Sequence, residues 1–283
     1  MKSYLRTDVA FENAKENVRK EYMLCGCRVC EVTEPRGDES AFYATVRVSS
    51  LPLAEAEELL RASRAVAWLL SHISQRLVPS PQCVLVACLG NPRITPDSLG
   101  ACTAQKIQVT RHVSVMDPGA FARFGKGALC LVQPGVLGDT GLESAELVRG
   151  AALQIGADLV IAVDALAAVG CATLGAAVQI CDHGLRPGAG LGNRRVAIDQ
   201  KSIGCPVISL GIPTVIDSAA LICDALMQAG ICQVGSCMQE HLARTKGYLV
   251  APGDIDVLIE RGGELLARAI SECYGIGFDD FSV

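Results

Sequence analysis

The chain has little of what most often announces a function. Aromatic residues make up 4% of its 283 positions, charged residues 19%, and histidine occurs only four times. No tract of lysine and arginine could neutralise a run of phosphates, and aromatic rings on which bases could stack are scarce. Both absences argue against a direct nucleic-acid partner. The longest apolar run free of glycine, residues 83–89, falls far short of the roughly 20 residues that cross a bilayer, so no membrane partner is expected. The opening stretch MKSYLRTDVAFENAKENVRKEY lacks the apolar core of a secretory signal, and a cytoplasmic location is expected. No GxSxG elbow, HExxH pair or Walker loop is present. With so few histidines, neither a metal centre nor a cofactor is expected.

What the chain does have is apolar material and cysteine. Half its residues are hydrophobic and the net charge is −5, enough for a large core and some subunit-facing surface. Residues 1–283 read as one domain, without repeat or linker. Fourteen cysteines occur, many inside apolar segments such as CVLVAC and LICDAL, where a thiol acts as a small hydrophobe in a reducing compartment. The exception is CGCRVC, with Cys25, Cys27 and Cys30 closely spaced. No second CxxC follows to complete a zinc site, so these read as incidental or redox-sensitive thiols.

Strand and helix alternate along the chain. AFYATVRVSS (41–50) alternates like a half-buried strand, and residues 54–77 carry apolar positions at helical spacing. CVLVACL (83–89) reads as a strand buried on both faces of a parallel sheet. In TPDSLG after it, Thr95 is placed to cap a helix and Pro96 to open it. Further strands are expected at 106–111, 128–133, 158–164, 176–181 and 206–211, and covering helices at 217–230 and 253–275, the last broken by Gly262 and Gly263.

Two aspartates fall where ligands collect in open parallel sheets, outside the carboxyl ends of strands. Asp97 follows strand 83–89, and Asp164 ends LVIAV. Each alone could cap a helix, Asp164 by serving the ALAA that follows it; together they form a candidate carboxylate pair for general acid/base work. The glycine-rich DHGLRPGAGLGNRR (182–195) is a poor dinucleotide fingerprint, but it could let a peptide backbone or a subunit approach closely. His183 is the histidine best placed to reach a site, and PGVLGDTGLES, with Asp139 and Glu143, reads as a cleft wall.

Seven pieces, RTDVAFE, CLGNPRITPDSLG, QPGVLGDTGLES, ADLVIAVDALAA, VQICDHGLRPGAGLGNRR, GCPVISLGIPTVIDSA and YLVAPGDIDVLIE, resemble in order and over nearly the whole chain the spore germination endopeptidases of endospore-forming bacteria. The resemblance implies an atypical aspartic-type protease, located in the spore core or forespore, that cleaves small acid-soluble spore proteins during germination. It implies a homo-oligomer, a tetramer, made as an inactive precursor that loses a short N-terminal piece. It also implies a phosphorylase/hydrolase-like α/β three-layer sandwich, with a mixed, mostly parallel sheet, related to the hydrogenase-maturation proteases. Asp97 and Asp164 match the family's catalytic motifs. Candidate substrate contacts are Asn91, Asp139, Asp182, His183, Gly190 and Asn193, and the processing region, about residues 1–12, includes Arg6, Thr7 and Asp8. Two other readings stand beside this one: a metal-dependent maturation endopeptidase of the related fold, with a ligand such as His183 near the two acids, and a catalytically silent spore assembly protein.

Overall fold

The computed structural model describes residues 7–13, 19–36, 39–122, 127–192, 195–231 and 233–274. In chain order the strands are β1 (Arg19–Leu24), β2 (Cys27–Arg36), β3 (Glu39–Arg47), β4 (Cys83–Cys88), β5 (Ala128–Val132), β6 (Leu159–Ala168), β7 (Ala177–Cys181), β8 (Val207–Asp217) and β9 (Leu249–Val250). The helices are α1 (Ala10–Asn13), α2 (Ala56–Leu77), α3 (Leu99–Ala104), α4 (Arg111–Met116), α5 (Pro118–Phe121), α6 (Leu137–Thr140), α7 (Ser144–Ile155), α8 (Gln200–Ile203), α9 (Ser218–Gln228), α10 (Ser236–Thr245) and α11 (Ile255–Tyr274).

One sheet carries the strands in the order β1-β2-β3-β7-β8-β6-β4-β5, with β9 beside β8. It is mixed and lies between helices, as expected, but "mostly parallel" describes only part of it. The pairs β8–β6, β6–β4 and β4–β5 are parallel, whereas β1–β2, β2–β3, β3–β7, β7–β8 and β8–β9 are antiparallel. The antiparallel wing includes the stretch after residue 18, which reads as merely polar because β1 is an edge strand whose side chains are mostly half-exposed or exposed.

Alternation along the central strands sends side chains to two cores. Val84, Val86, Ile161, Val163, Ile208 and Leu210 pack under α2, α3 and α11; Leu85, Ala87, Val160 and Ala162 face α7 and α8. Each fully buried Leu or Ile contributes about 1.5–3 kcal/mol. The helix over 253–275 is not broken by its glycines. Cβ atoms added at Gly262 and Gly263 would come within 2.9 Å of Ile212 Cδ1 and 2.7 Å of Cys102 Sγ, so the pair lets α11 settle closely on α3 and the sheet. The strand expected at 106–111 does not form: Thr110 uses its backbone N–H and its hydroxyl to bond Leu129 at the edge of β5, and α4 begins at the next residue.

CGCRVC is the β1–β2 hairpin. Cys25 (φ 50°) and Gly26 (φ 80°) form its left-handed turn. Cys27 and Cys30, an odd number of residues apart, point to opposite faces and lie in different clusters. No helix among the described residues is long and apolar enough to cross a membrane.

Candidate active site

β6 does not stop at Asp164. It runs on to Ala168, paired throughout with β8, and no helix follows Asp164 for it to cap. Tertiary pairing here overrides the helical propensity of ALAA. Asp164 therefore stands within a strand, only 6% exposed, on the face that carries Val160 and Ala162. Gly211 of β8 lies opposite it, and a Cβ there would meet Asp164 O at 2.8 Å and Leu166 Cγ at 2.6 Å.

Asp97 is fixed by the loop that leaves β4. Gly90 (φ +99°) makes the turn, where a Cβ would strike Asp97 O at 2.0 Å. Asn91 donates its backbone N–H to Asp97 Oδ2 at 2.9 Å and to Asp97 O at 3.0 Å. Pro96 O accepts the Thr214 hydroxyl of β8 at 2.7 Å. Residues 95–97 form one 3₁₀ turn; Thr95 opens it without capping it, and α3 follows.

A third carboxylate joins these two. Asp8 Oδ2 accepts the Ala167 N–H at 2.9 Å, Asp8 Oδ1 accepts the Gly190 N–H at 2.6 Å, and Asp8 donates its own N–H to Ala167 O at 2.9 Å. Gly190 must be glycine here, because an added Cβ would lie 2.5 Å from Asp8 Oδ2. Buried Gln179 donates to Asp8 O and accepts from Ala10 N–H, each at 2.6 Å. Glu12 accepts the N–H groups of Val169 at 3.0 Å and Gly170 at 3.3 Å, and the hydroxyls of Thr7 and Thr173. The segment from Thr7 to Asn13 is thus strapped to the end of β6, with Val9 fully buried.

Two cavities, of about 320 and 260 Å³, share Asp8, Asp164, Leu166 and Gly188. The larger also takes in Glu34, Tyr43, Gln179, His183 and Arg186. The smaller takes in Asp97 and the apolar walls of Leu89, Ile94, Val136 and Leu137.

The electrostatics separate the acids. Burial raises Asp164 well above the ordinary carboxylate range, and the charges of Asp97 and then Asp8 push it the same way against one N–H bond from Ala165. Asp97 is raised by burial but drawn back by the Asn91 N–H. Asp8 is raised by burial, opposed by its two backbone N–H bonds. Such a set makes Asp164 the harder of the two to ionise and Asp97 the easier.

The other expected contacts are dispersed. Asn91 acts through its backbone on Asp97, while its side chain accepts the Arg93 N–H at 3.0 Å. Asp139 lines neither cavity and meets Arg93 at 3.4 Å on the exposed rim. Asp182 accepts the Phe42 N–H at 2.8 Å, tying β7 to β3, and stands 3.3 Å from His183 Nδ1. His183 lines the larger cavity with Asp164. Arg6 and Asn193 lie outside the described residues. Glu12, Gln179 and Thr214 were not singled out in the sequence; the acids at positions 8 and 12 flanking buried Val9 were the available signal. Among the described residues, no group of three His, Cys, Asp or Glu side chains could hold a metal ion.

The profile of the family described as "Germination protease" matches residues 7–253. A germination protease of Clostridium acetobutylicum is 38% identical over 202 residues, covering 69% of this chain and 62% of that protein. One of Caldanaerobacter subterraneus subsp. tengcongensis is 34% identical, covering 94% and 93%. One of Bacillus cytotoxicus is 31% identical, covering 78% and 66%. The chain thus spans less than two thirds of the first of these relatives and nearly all of the second. A solved [NiFe] hydrogenase maturation protease HycI from Thermococcus kodakarensis KOD1 aligns with 72% of this chain and 99% of its own, at 15% identity and a TM-score of 0.37, too low for residue correspondences.

Proposed function

The chain belongs to the germination protease family, and from that premise we propose that it is an endopeptidase that cleaves small acid-soluble spore proteins in the spore core during germination, with Asp97 and Asp164 as an aspartic-type pair. The observation that carries the reading is the pair itself: one carboxylate within β6 and one in the turn after β4, lining one cavity, unequal in their hold on a proton.

In the proposed cycle ionised Asp97 takes a proton from water as its oxygen bonds to the scissile carbonyl carbon. Protonated Asp164 gives its proton to the carbonyl oxygen, so a neutral diol forms. Collapse of the diol breaks the C–N bond: Asp97 returns its proton to the leaving amine, and Asp164 recovers one from the diol hydroxyl. Each acid ends as it began. Burial raises both acids, but the Asn91 N–H draws Asp97 back while the charges of Asp97 and Asp8 push Asp164 further up, so Asp97 is the one suited to act as base and Asp164 as acid.

Self-association as a tetramer belongs to the same reading. A precursor step is compatible with it if the cut precedes Thr7, since the residues that follow are bonded into the site. The test is incubation with purified small acid-soluble spore protein and mass spectrometry of the products. New internal termini without added metal support the proposal. Cleavage only with added metal favours a maturation-type enzyme, and intact but bound substrate favours an assembly protein.

A further inference from the structure

We propose that the free edge of β6 at Ala165 receives the substrate's backbone as an added, extended strand, drawing the peptide past Asp164 by main-chain hydrogen bonds. This deepens the proteolytic reading above and rests on it.

β4 pairs with β6 only as far as Cys88 opposite Val163, and the last bond runs from Leu89 N–H to Val163 O at 2.8 Å. β6 continues to Ala168, paired on its other side with β8. Among the described residues, no strand pairs with β6 beyond Val163 on the side that β4 leaves. Backbone direction alternates along a strand, so Ala165 and Ala167 aim their N–H and C=O groups the way Val163 does, toward that vacated side.

One repeat of this edge is already filled in strand fashion. Asp8 N–H bonds Ala167 O, and Ala167 N–H bonds Asp8 Oδ2, each at 2.9 Å. The carboxylate stands where a neighbouring strand would present a carbonyl, so extended backbone fits against β6 at this point. The adjoining repeat, at Ala165, borders the 260 Å³ cavity that Asp97 and Asp164 line. Its N–H reaches only as far as the side chain of the preceding residue, Asp164 Oδ1, at 3.0 Å. A peptide carbonyl placed there can replace that bond, and a peptide N–H can meet Ala165 O. Strand addition to an exposed edge is a general mode of peptide capture in which the main chain supplies the affinity. A site that binds main chain in this way takes a locally unfolded, extended peptide and rejects proline at the paired position, since proline has no N–H to give.

The test uses the wild-type protein and a synthetic peptide spanning whichever bond it cuts in purified small acid-soluble spore protein. The scissile amide is reduced so that the peptide binds without being cleaved, and the remaining amides are N-methylated one at a time. Dissociation constants are read by calorimetry. Losing a main-chain hydrogen bond, with a methyl group in its place, is expected to weaken binding about tenfold or more at one amide, or at two amides two residues apart. The amides between, whose N–H groups face away, should change affinity less than about threefold. A flat profile, or equal losses at consecutive amides, overturns the edge-binding proposal while leaving the proteolytic reading intact. Failure to cut the spore protein at all removes both.

Discussion

Replacing Asp164 by Asn should stabilise the protein as it disables it. Asp164 is raised above the ordinary carboxylate range first by burial, then by the charges of Asp97 and Asp8. An aspartate in the unfolded chain ionises near about pH 4. Above that pH the folded chain binds more protons than the unfolded one, so the contribution of Asp164 to stability falls as pH rises from about 4 through its folded-state pKa and is constant beyond it. Asparagine has nearly the same shape, accepts the Ala165 N–H through Oδ1, and has no proton to lose. Asp164→Asn should therefore match wild type or fall slightly below it at pH 4 and exceed it at pH 8. The expected gain is about 0.5–2 kcal/mol, the usual size for single stabilising replacements, or a few degrees in Tm. Calorimetry of both proteins from pH 4 to 8 isolates the effect of this acid cluster, because carboxylates other than Asp97 and Asp8, whose charges act on Asp164, titrate alike in the two. A variant less stable than wild type, with the deficit growing toward pH 8, would mean that Asp164 is a charged structural anchor and that its assignment as the proton-holding acid is wrong.

Gly190→Ala would bring a methyl group to 2.5 Å from Asp8 Oδ2 and 2.9 Å from Ala167 Cβ; a loss of about 1–3 kcal/mol in denaturant melts, with slower cleavage, is expected. Glu12→Gln exchanges a charged acceptor of the Val169 and Gly170 N–H groups for an amide and should cost about 1–3 kcal/mol. For the same reason, intact-mass measurement of protein from germinating cells should find Thr7 retained in any matured form. Cys25→Asn places the preferred residue in the left-handed hairpin turn before Gly26, and should raise stability by about 0.5 kcal/mol or more with cleavage unchanged.

The parts of the fold that follow a single local rule were legible in the sequence. The run CVLVAC is β4 because a strand buried on both faces needs no alternation, and the helical spacing of residues 54–77 is α2 to within two residues. Where long-range pairing overrules local preference, the sequence misleads. ALAA after Asp164 has helical propensity yet continues β6, because β8 runs alongside it. KIQVTR has strand-like residues but bonds β5 through the Thr110 side chain rather than as a strand. Gly262 and Gly263 read as a break, yet they are what lets α11 approach α3 closely. The site divides the same way. Asp97 and Asp164 are marked because each follows an apolar run that reads as a buried strand, even though β6 runs on past Asp164, whereas Asp8 meets Ala167, Gln179 meets Asp8 and Glu12 meets Val169 across 159, 171 and 157 residues. No local pattern encodes such meetings, and the sequence around Asp8 and Glu12 does not show that both bond the end of β6.

The central claim is that Asp97 and Asp164 act together as base and acid on a peptide bond. Its most direct test is the initial rate of small acid-soluble spore protein cleavage by Asp97→Asn, Asp164→Asn and the double variant, each first shown by calorimetry to be folded. General acid/base roles are worth about 10²- to 10⁴-fold, so each single variant should be slower by at least about 100-fold. The double variant should be little worse than either, since groups that work as a unit lose their effect together. Near-normal cleavage by either single variant, or losses that multiply in the double, would contradict the account.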